Sequence, residues 1–262
     1  MIKKLGLLSS LTISIFVLSA CGESDATNNG GTEVKESGNK KVLEMATSAD
    51  FPPFESRDTA GNFEGFDIDL ANYIADELGY ELKIQDMKFD GLIGALQSDR
   101  IDMVLSGMSA TDDRKQNVDF STEYHHSGEM FITLKDSQIK TLDDLKSKKV
   151  GVQLGTIQED GAKKIKKDTV DFELKSVDNS TVLIQELLSK RIDVAYMDKS
   201  VAQGYITEQD LGGFDDPTTS SPGMAVAFPK GSELTEKINA VLKEAEENGK
   251  LQELKDKWLK EE

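Results

Sequence analysis

The chain has 262 residues, of which 37% are hydrophobic and 30% charged, and a formal net charge of −17. That length suffices for one large or two ordinary domains with real cores, and so acidic a surface repels nucleic acid and anionic lipid, which argues against polyanion partners. Cys21 is the single cysteine, so the chain has neither a disulfide framework nor a thiolate metal site.

Met1-Ile2-Lys3-Lys4 and the apolar residues 5–18 have the form of a secretory signal. The apolar run is too short and wrongly flanked for a membrane span. Leu18-Ser19-Ala20-Cys21 resembles a bacterial lipobox, which implies removal of residues 1–20 and acylation of Cys21, palmitate included. An ordinary signal peptide with an incidental cysteine is the plainer alternative. More than one acyl chain gives stable anchoring, so the mature protein is expected to sit on a membrane without spanning it. Residues 21–40 are polar and rich in Gly, Ser and Asn, and read as a flexible tether with a root-mean-square span of about 25 Å.

Folded structure is expected from Val42. Residues 42–47 read as a strand that the prolines of Phe51-Pro52-Pro53-Phe54 end. Leu70, Ala71, Ile74, Ala75 and Leu78 recur at helical spacing ahead of Gly79. A strand over 81–86, a helix over 89–98 and a strand over 101–105 follow. The same grammar then repeats: a short helix at 142–145, strands at 149–153, 172–177 and 192–197, and helices after Gly155 and over 181–189. Strands alternating with helices predict a parallel sheet wrapped by helices. Leu92-Ile93-x-x-Leu96-x-Ser98-x-Arg100-Ile101-Asp102 lines up with Leu183-Ile184-x-x-Leu187-x-Ser189-x-Arg191-Ile192-Asp193. Whether this echo is a true repeat or common use of one αβ unit, two similar lobes follow. Residues 124–131 and 222–227 are expected to cross between them. Residues 234–258 form a helical tail that Gly249 divides, with Trp258 as packing.

The most informative stretch is residues 101–114. An apolar strand stops at Ser106-Gly107-Met108-Ser109, and Arg114 follows in the first turn of a helix. Backbone N–H groups, a hydroxyl and a guanidinium at one strand end suit a carboxylate.

Several segments together resemble the polar amino-acid family (family 3) of extracytoplasmic solute-binding proteins, the receptors of ABC importers. They are Phe51-Pro52-Pro53-Phe54, Gly65-Phe66-Asp67-Ile68-Asp69-Leu70, Leu105-Ser106-Gly107-Met108-Ser109 with Arg114, and Val118-Asp119-Phe120-Ser121. Val150-Gly151-Val152-Gln153-Leu154-Gly155-Thr156-Ile157-Gln158-Glu159 is similar to Gram-positive arginine-binding lipoproteins. The resemblance covers residues 42–260. It implies an α/β, two-lobed, periplasmic-binding-protein-like (type II) fold, each lobe a mostly parallel sheet flanked by helices, with a two-strand hinge. Lobe 1 would comprise residues 41–128 and 226–262, and lobe 2 residues 129–225. The implied protein is a monomer without cofactor, held at the extracytoplasmic face of the cell membrane through lipidated Cys21. It would deliver a free amino acid to an ABC permease.

The resemblance also implies roles. Arg114 would grip the α-carboxylate, helped by the Ser109 amide and, from the other lobe, the region of Thr156 and Ile157. Asp198 would pair with the α-ammonium alongside the Ser109 hydroxyl and a carbonyl of Ser106 or Gly107, and it also suits the N-cap of a following helix. Phe51 and Phe89 would sandwich the side chain. Asp67, Gln153 and Gln158 match positions that reach it, and Met108 lies within the strand-end motif. Ser48 stands where some basic-amino-acid receptors carry an acid, which sets arginine, the favoured ligand, against glutamine or another polar amino acid.

Two other classes compete. Secreted dehydratases use the same scaffold, but HExxH, GxxxxGK[ST], GxSxG and GxGxxG motifs are absent. His125 and His126 are the only histidines; adjacent in an extended stretch, they point opposite ways and suit neither a shared metal nor a catalytic pair. The third class is a receptor for a protein partner.

Overall fold

The computed structural model describes residues 40–218 and 221–259. The signal segment, Cys21 and residues 21–39 of the expected tether lie outside the described residues.

The chain opens with β1 (Val42–Thr47), the small hairpin of β2 (Ser56–Arg57) and β3 (Phe63–Glu64), α1 (Phe66–Glu77) and β4 (Glu81–Asp86). α2 (Leu92–Gln97), β5 (Met103–Val104), α3 (Asp112–Lys115) and β6 (Asp119–His125) follow. Next come β7 (Glu129–Leu134), β8 (Lys149–Gln153), α4 (Ile157–Asp168), β9 (Glu173–Val177) and α5 (Ser180–Leu188). The chain continues through β10 (Val194–Asp198), α6 (Lys199–Gln209), β11 (Leu211–Asp215) and β12 (Met224–Phe228) to α7 (Leu234–Glu247) and α8 (Lys250–Trp258).

These strands make two five-stranded sheets, ordered β4-β1-β5-β12-β6 and β11-β7-β10-β8-β9. In each sheet one strand runs against the rest: β12 is antiparallel to β5 and β6, and β7 to β10 and β11. These are the strands that the chain enters immediately after changing sheets, from β6 to β7 and from β11 to β12. A chain that leaves one sheet at a strand's carboxyl end enters the facing sheet at the end where its other strands finish, and so must run backwards. The carboxyl ends of the remaining strands therefore face one another across a cleft, where open α/β sheets bind ligands.

Burial alternates as a two-faced sheet requires. Val194 and Tyr196 of β10 pack with α4 residues Ala162 and Ile165, whereas Ala195 and Met197 pack with Leu183, Ile184 and Leu187 of α5. In the first sheet Leu43 and Met45 pack with α1 and the tail helices, while Ala46 and Val104 face Leu92 and Leu96 of α2.

The sequence echo has a geometric counterpart. Asp102 N–H donates to Glu44 O at 2.8 Å, and Asp102 Oδ2 accepts from Glu44 N at 2.8 Å. Asp193 does the same with Lys149, at 2.9 and 2.8 Å. Asp99 (φ 51°) and Lys190 (φ 59°) both turn left-handed, and the Ser98 and Ser189 hydroxyls each return to the last turn of their helix. Each aspartate thus closes the ladder at the start of its central strand. The same device explains why the strand expected over 101–105 is confined to Met103–Val104: Asp102 commits its carboxylate to β1. The helix expected over 89–98 is split into a 3-10 turn at Phe89–Gly91 and α2.

Candidate functional site

The cleft encloses about 370 Å³, counted to its opening on solvent. Ser48, Asp50, Phe51, Glu55 and Phe89 line it from the first half of the chain, with Gly107, Ser109, Arg114 and Met224. Gln153, Thr156, Ile157, Gln158 and Asp198 line it from the second sheet and its helices.

Arg114 lies in α3, a single turn capped by the Thr111 hydroxyl. Its Nη1 donates to Ser109 O at 2.9 Å, and its Nη2 crosses the cleft to Gly155 O at 3.0 Å. The guanidinium stands 5.3 Å from the centre of the Phe89 ring, a cation–π distance. Burial lowers its pKa to about 10, opposed by Asp160, which leaves it cationic at neutral pH. Among the described residues it forms no ion pair, so its charge is compensated only by carbonyls and a ring. The Ser109 hydroxyl, also at the wall, bonds to no described residue.

Asp198 ends β10 and caps α6. Its Oδ1 accepts from Ser200 N at 2.8 Å, Val201 N at 3.3 Å and the Ser127 hydroxyl at 3.0 Å, while Oδ2 accepts from no described residue. Burial raises its pKa to about 6, with those donors pulling the other way.

Two glycines permit close approaches at the cleft, one within the first wall and one between the walls. A Cβ on Gly107 (φ +53°) would lie 2.9 Å from Phe51 Cε1. A Cβ on Gly155 (φ +77°) would lie 3.0 Å from Asp90 Cβ and 3.1 Å from Asp90 Cα, across the cleft. The facing elements are also tied directly. Asp50 Oδ2 accepts from Ser180 N at 2.6 Å and from Gln153 Nε2 at 3.4 Å, the Ser180 hydroxyl donates to Asp50 O, and Lys88 pairs with Asp178.

Asp67 and Met108, expected at the ligand, lie elsewhere, and the Ser106 hydroxyl is turned away from it, which leaves its carbonyl as the group expected there. Asp67 is fully buried beneath the wall, accepting from Gly107 N and the Tyr124 hydroxyl, each at 2.8 Å. The Ser106 hydroxyl accepts from Ser48 N and donates to Glu55, both at 2.9 Å. Met108 packs in the core with Leu92, Val104 and Val118. The Thr156 hydroxyl is occupied as the cap of α4, donating to Gln153 O at 2.7 Å and accepting from Glu159 N at 3.2 Å, so it has no proton left to donate to a ligand.

Reading the sequence missed Asp50, Glu55 and Met224. The signal for the two acids was available, because each interrupts an otherwise apolar, proline-fixed stretch from Ala49 to Glu55. Glu55 and Asp67 are both fully buried, and Glu55 Oε2 and Asp67 Oδ1 have no donor among the described residues. Burial, reinforced by Asp67, holds Glu55 well above the usual carboxylate range, and burial raises Asp67 to about 6. Ionised Asp67 thus disfavours the ionisation of Glu55.

Two α/β lobes whose strand ends meet over a cavity with, among the described residues, a cation lacking an ion pair on one wall and a carboxylate oxygen lacking a donor on the other define a type II binding-protein architecture. The chain belongs to the bacterial extracellular solute-binding proteins, family 3, which match it over residues 43–261. It is 46% identical over 249 residues, 93% of each chain, to the arginine-binding extracellular protein ArtP of Bacillus subtilis (strain 168). Its fold is similar to that of an ancestral arginine-binding protein bound to arginine, with TM-score 0.80 and 41% identity over 84% of this chain and 99% of the other. For an ancestral arginine-binding protein bound to glutamine the TM-score is 0.79 and the identity 40%, over 85% of this chain and 99% of that one. The family is one of binding proteins, and the chain is a binding protein rather than an enzyme.

Proposed function

We propose that this protein captures a free amino acid with a cationic side chain, arginine before any other, and passes it to an ABC permease. Lobe 1 takes residues 41–128 and 224–259 and lobe 2 residues 129–215; the expected boundary at 225/226 moves forward because β12 pairs with β6 from Met224 on. Arg114 and the Ser109 amide take the α-carboxylate from the first lobe, and Asp198 Oδ2 from the second takes the α-ammonium together with the Ser109 hydroxyl. Phe51 and Phe89 flank the side chain. Only the closed arrangement completes both sets of bonds, so the ligand stabilises closure by its differential affinity. Acylated Cys21 holds the receptor at the extracytoplasmic membrane face on the tether of residues 21–40.

The observation that carries the choice of a cationic side chain is the charge balance of the cavity. Arg114 and Asp198 match the two ends of a zwitterion, burial and Asp67 disfavour ionisation of Glu55, and Asp50 is left as an acid supplied only with neutral donors. Burial raises the Asp50 pKa above its ordinary value, as expected for a buried acid without a cation. Asp50 supplies the acid whose counterpart was sought at Ser48. The names of two similar proteins, both arginine-binding, support the same reading. Glutamine is the second reading, favoured by the amides of Gln153 and Gln158 on the wall. A thermal-shift panel of the amino acids separates the two, because a ligand that binds the native state raises its stability by mass action. Arginine should give the largest shift. A larger shift with glutamine would reverse the order, and no shift with any amino acid would favour a protein partner.

A further inference from the structure

We propose that Glu129 is a positioning residue for selectivity: it holds the Gln158 amide by its nitrogen, so that Gln158 turns its amide oxygen to the cavity and the wall there accepts hydrogen bonds. The inference rests on the reading that the cavity takes an amino acid with a cationic side chain.

Glu129 begins β7, directly after the chain crosses between sheets, and is 4% exposed. It lies behind the wall, and Gln158, in the first turn of α4 and 7% exposed, stands at the cavity. Glu129 Oε2 accepts from Gln158 Nε2 and Glu129 Oε1 accepts from the Ser221 hydroxyl, so each carboxylate oxygen has one donor. A carboxylate can only accept. The nitrogen and oxygen of an amide leave the same carbon in opposite directions, so fixing one aims the other. An isolated glutamine at a wall has no such preference and turns to suit either a donor or an acceptor.

The surroundings fit a residue retained for direction rather than stability. Asp198 pairs with Glu129 across β7 and β10, and Asp216 follows on the other flank, its N–H donating to Glu129 O at 2.9 Å. No described cation pairs with Glu129. Burial pushes its pKa up to about 7, with Asp198 and Asp216 adding to the rise and the Ser221 and Gln158 donors opposing it. A cationic ligand in the cavity favours the ionised form, which is the form that keys the amide. Ligand and Glu129 thus reinforce each other.

Citrulline is the discriminating probe, since it keeps the shape of arginine but replaces one guanidinium NH₂ by a carbonyl oxygen. The ratio of arginine to citrulline affinity is measured by calorimetry for the wild type, Glu129→Gln, Glu129→Asp, Gln158→Leu and the Glu129→Gln/Gln158→Leu double variant. Glu129→Gln frees the amide to turn, and Glu129→Asp keeps the charge but withdraws it from the amide. Each should lower the ratio about tenfold, the equivalent of one charge-assisted hydrogen bond. In the Gln158→Leu background, Glu129→Gln should change the ratio by less than about twofold, because coupled residues lose their interaction together. An unchanged ratio in Glu129→Gln, an unchanged ratio in Glu129→Asp, or a change in the Gln158→Leu background equal to that in the wild type would overturn the proposal. A wild type that binds neither probe sinks the ligand reading first, whereas a wild type that binds arginine leaves only the role of Glu129 at stake.

Discussion

The Asp50 carboxylate accepts the backbone N–H of Ser180 at 2.6 Å, joining the loop after β1 to the first residue of α5, 130 positions away. One carboxylate thus lines the cavity and caps a helix of the facing lobe, so side-chain recognition and lobe closure share an atom group.

Asp50→Asn keeps the shape and an accepting oxygen but removes the charge. Arginine affinity measured by calorimetry should fall by about 10- to 100-fold, the equivalent of a charge-assisted hydrogen bond of ~1.5–3 kcal/mol. Glutamine affinity should change far less. Unaltered arginine affinity would remove Asp50 from the side-chain site.

Arg114→Ala deletes the cation that no described carboxylate compensates. Binding should fall by more than about 100-fold, because a carboxylate left buried without its partner costs more than the bond itself. Arg114→Lys should fall between, since an ammonium cannot make the two parallel bonds of a guanidinium. Affinity of Arg114→Ala within about tenfold of the wild type would contradict the assignment.

Gly155→Ala introduces a Cβ 3.0 Å from Asp90 Cβ at a left-handed position (φ +77°). The backbone strain, about 1–3 kcal/mol, is present whether the lobes are open or closed, but the contact with Asp90 arises only on closure. Ligand affinity should therefore drop more than unfolding stability does. In small-angle scattering the liganded variant should stay more extended than the liganded wild type. Equal losses in both quantities would assign the glycine to the turn alone.

The buried acids set a pH dependence of definite sign. Asp67 and Asp198 have folded-state pKa values raised from 3.8 to about 6, so the folded chain binds protons more tightly than the unfolded one. Their contribution to stability is complete below pH 3.8 and is lost as pH rises through about 6. In urea titrations Asp67→Asn should flatten the fall in stability between about pH 4 and 6. Ligand affinity should run the other way, weakening as pH drops through about 6, because protonated Asp198 no longer attracts an ammonium. A stability curve that rises with pH over this interval because of Asp67 would contradict the burial argument.

Much of this was legible because it is local. The Ser98–Asp102 and Ser189–Asp193 turns use the same residue types at the same spacing, and Arg114 follows its strand end at a distance that only a tight turn can span. What was illegible depends on contacts made elsewhere. Asp67 and Asp69 look alike in the first turn of α1, yet Asp67 turns inward to Gly107 N and Tyr124, while Asp69 pairs with Lys257 and Trp258 of the tail. Met108 sits between two wall residues but packs behind them, as alternation at a strand end dictates. Asp50 gains its meaning from Ser180 and Gln153, which only folding brings near it.

The central claim is that a cavity with one surplus carboxylate selects a cationic amino acid. Calorimetric titration of the wild type with arginine and with glutamine at about pH 8, where Asp198 is ionised, tests it most directly. The account predicts arginine binding at micromolar strength or tighter, with glutamine at least about tenfold weaker. No arginine binding, with a neutral amino acid bound at micromolar strength or better, would contradict it.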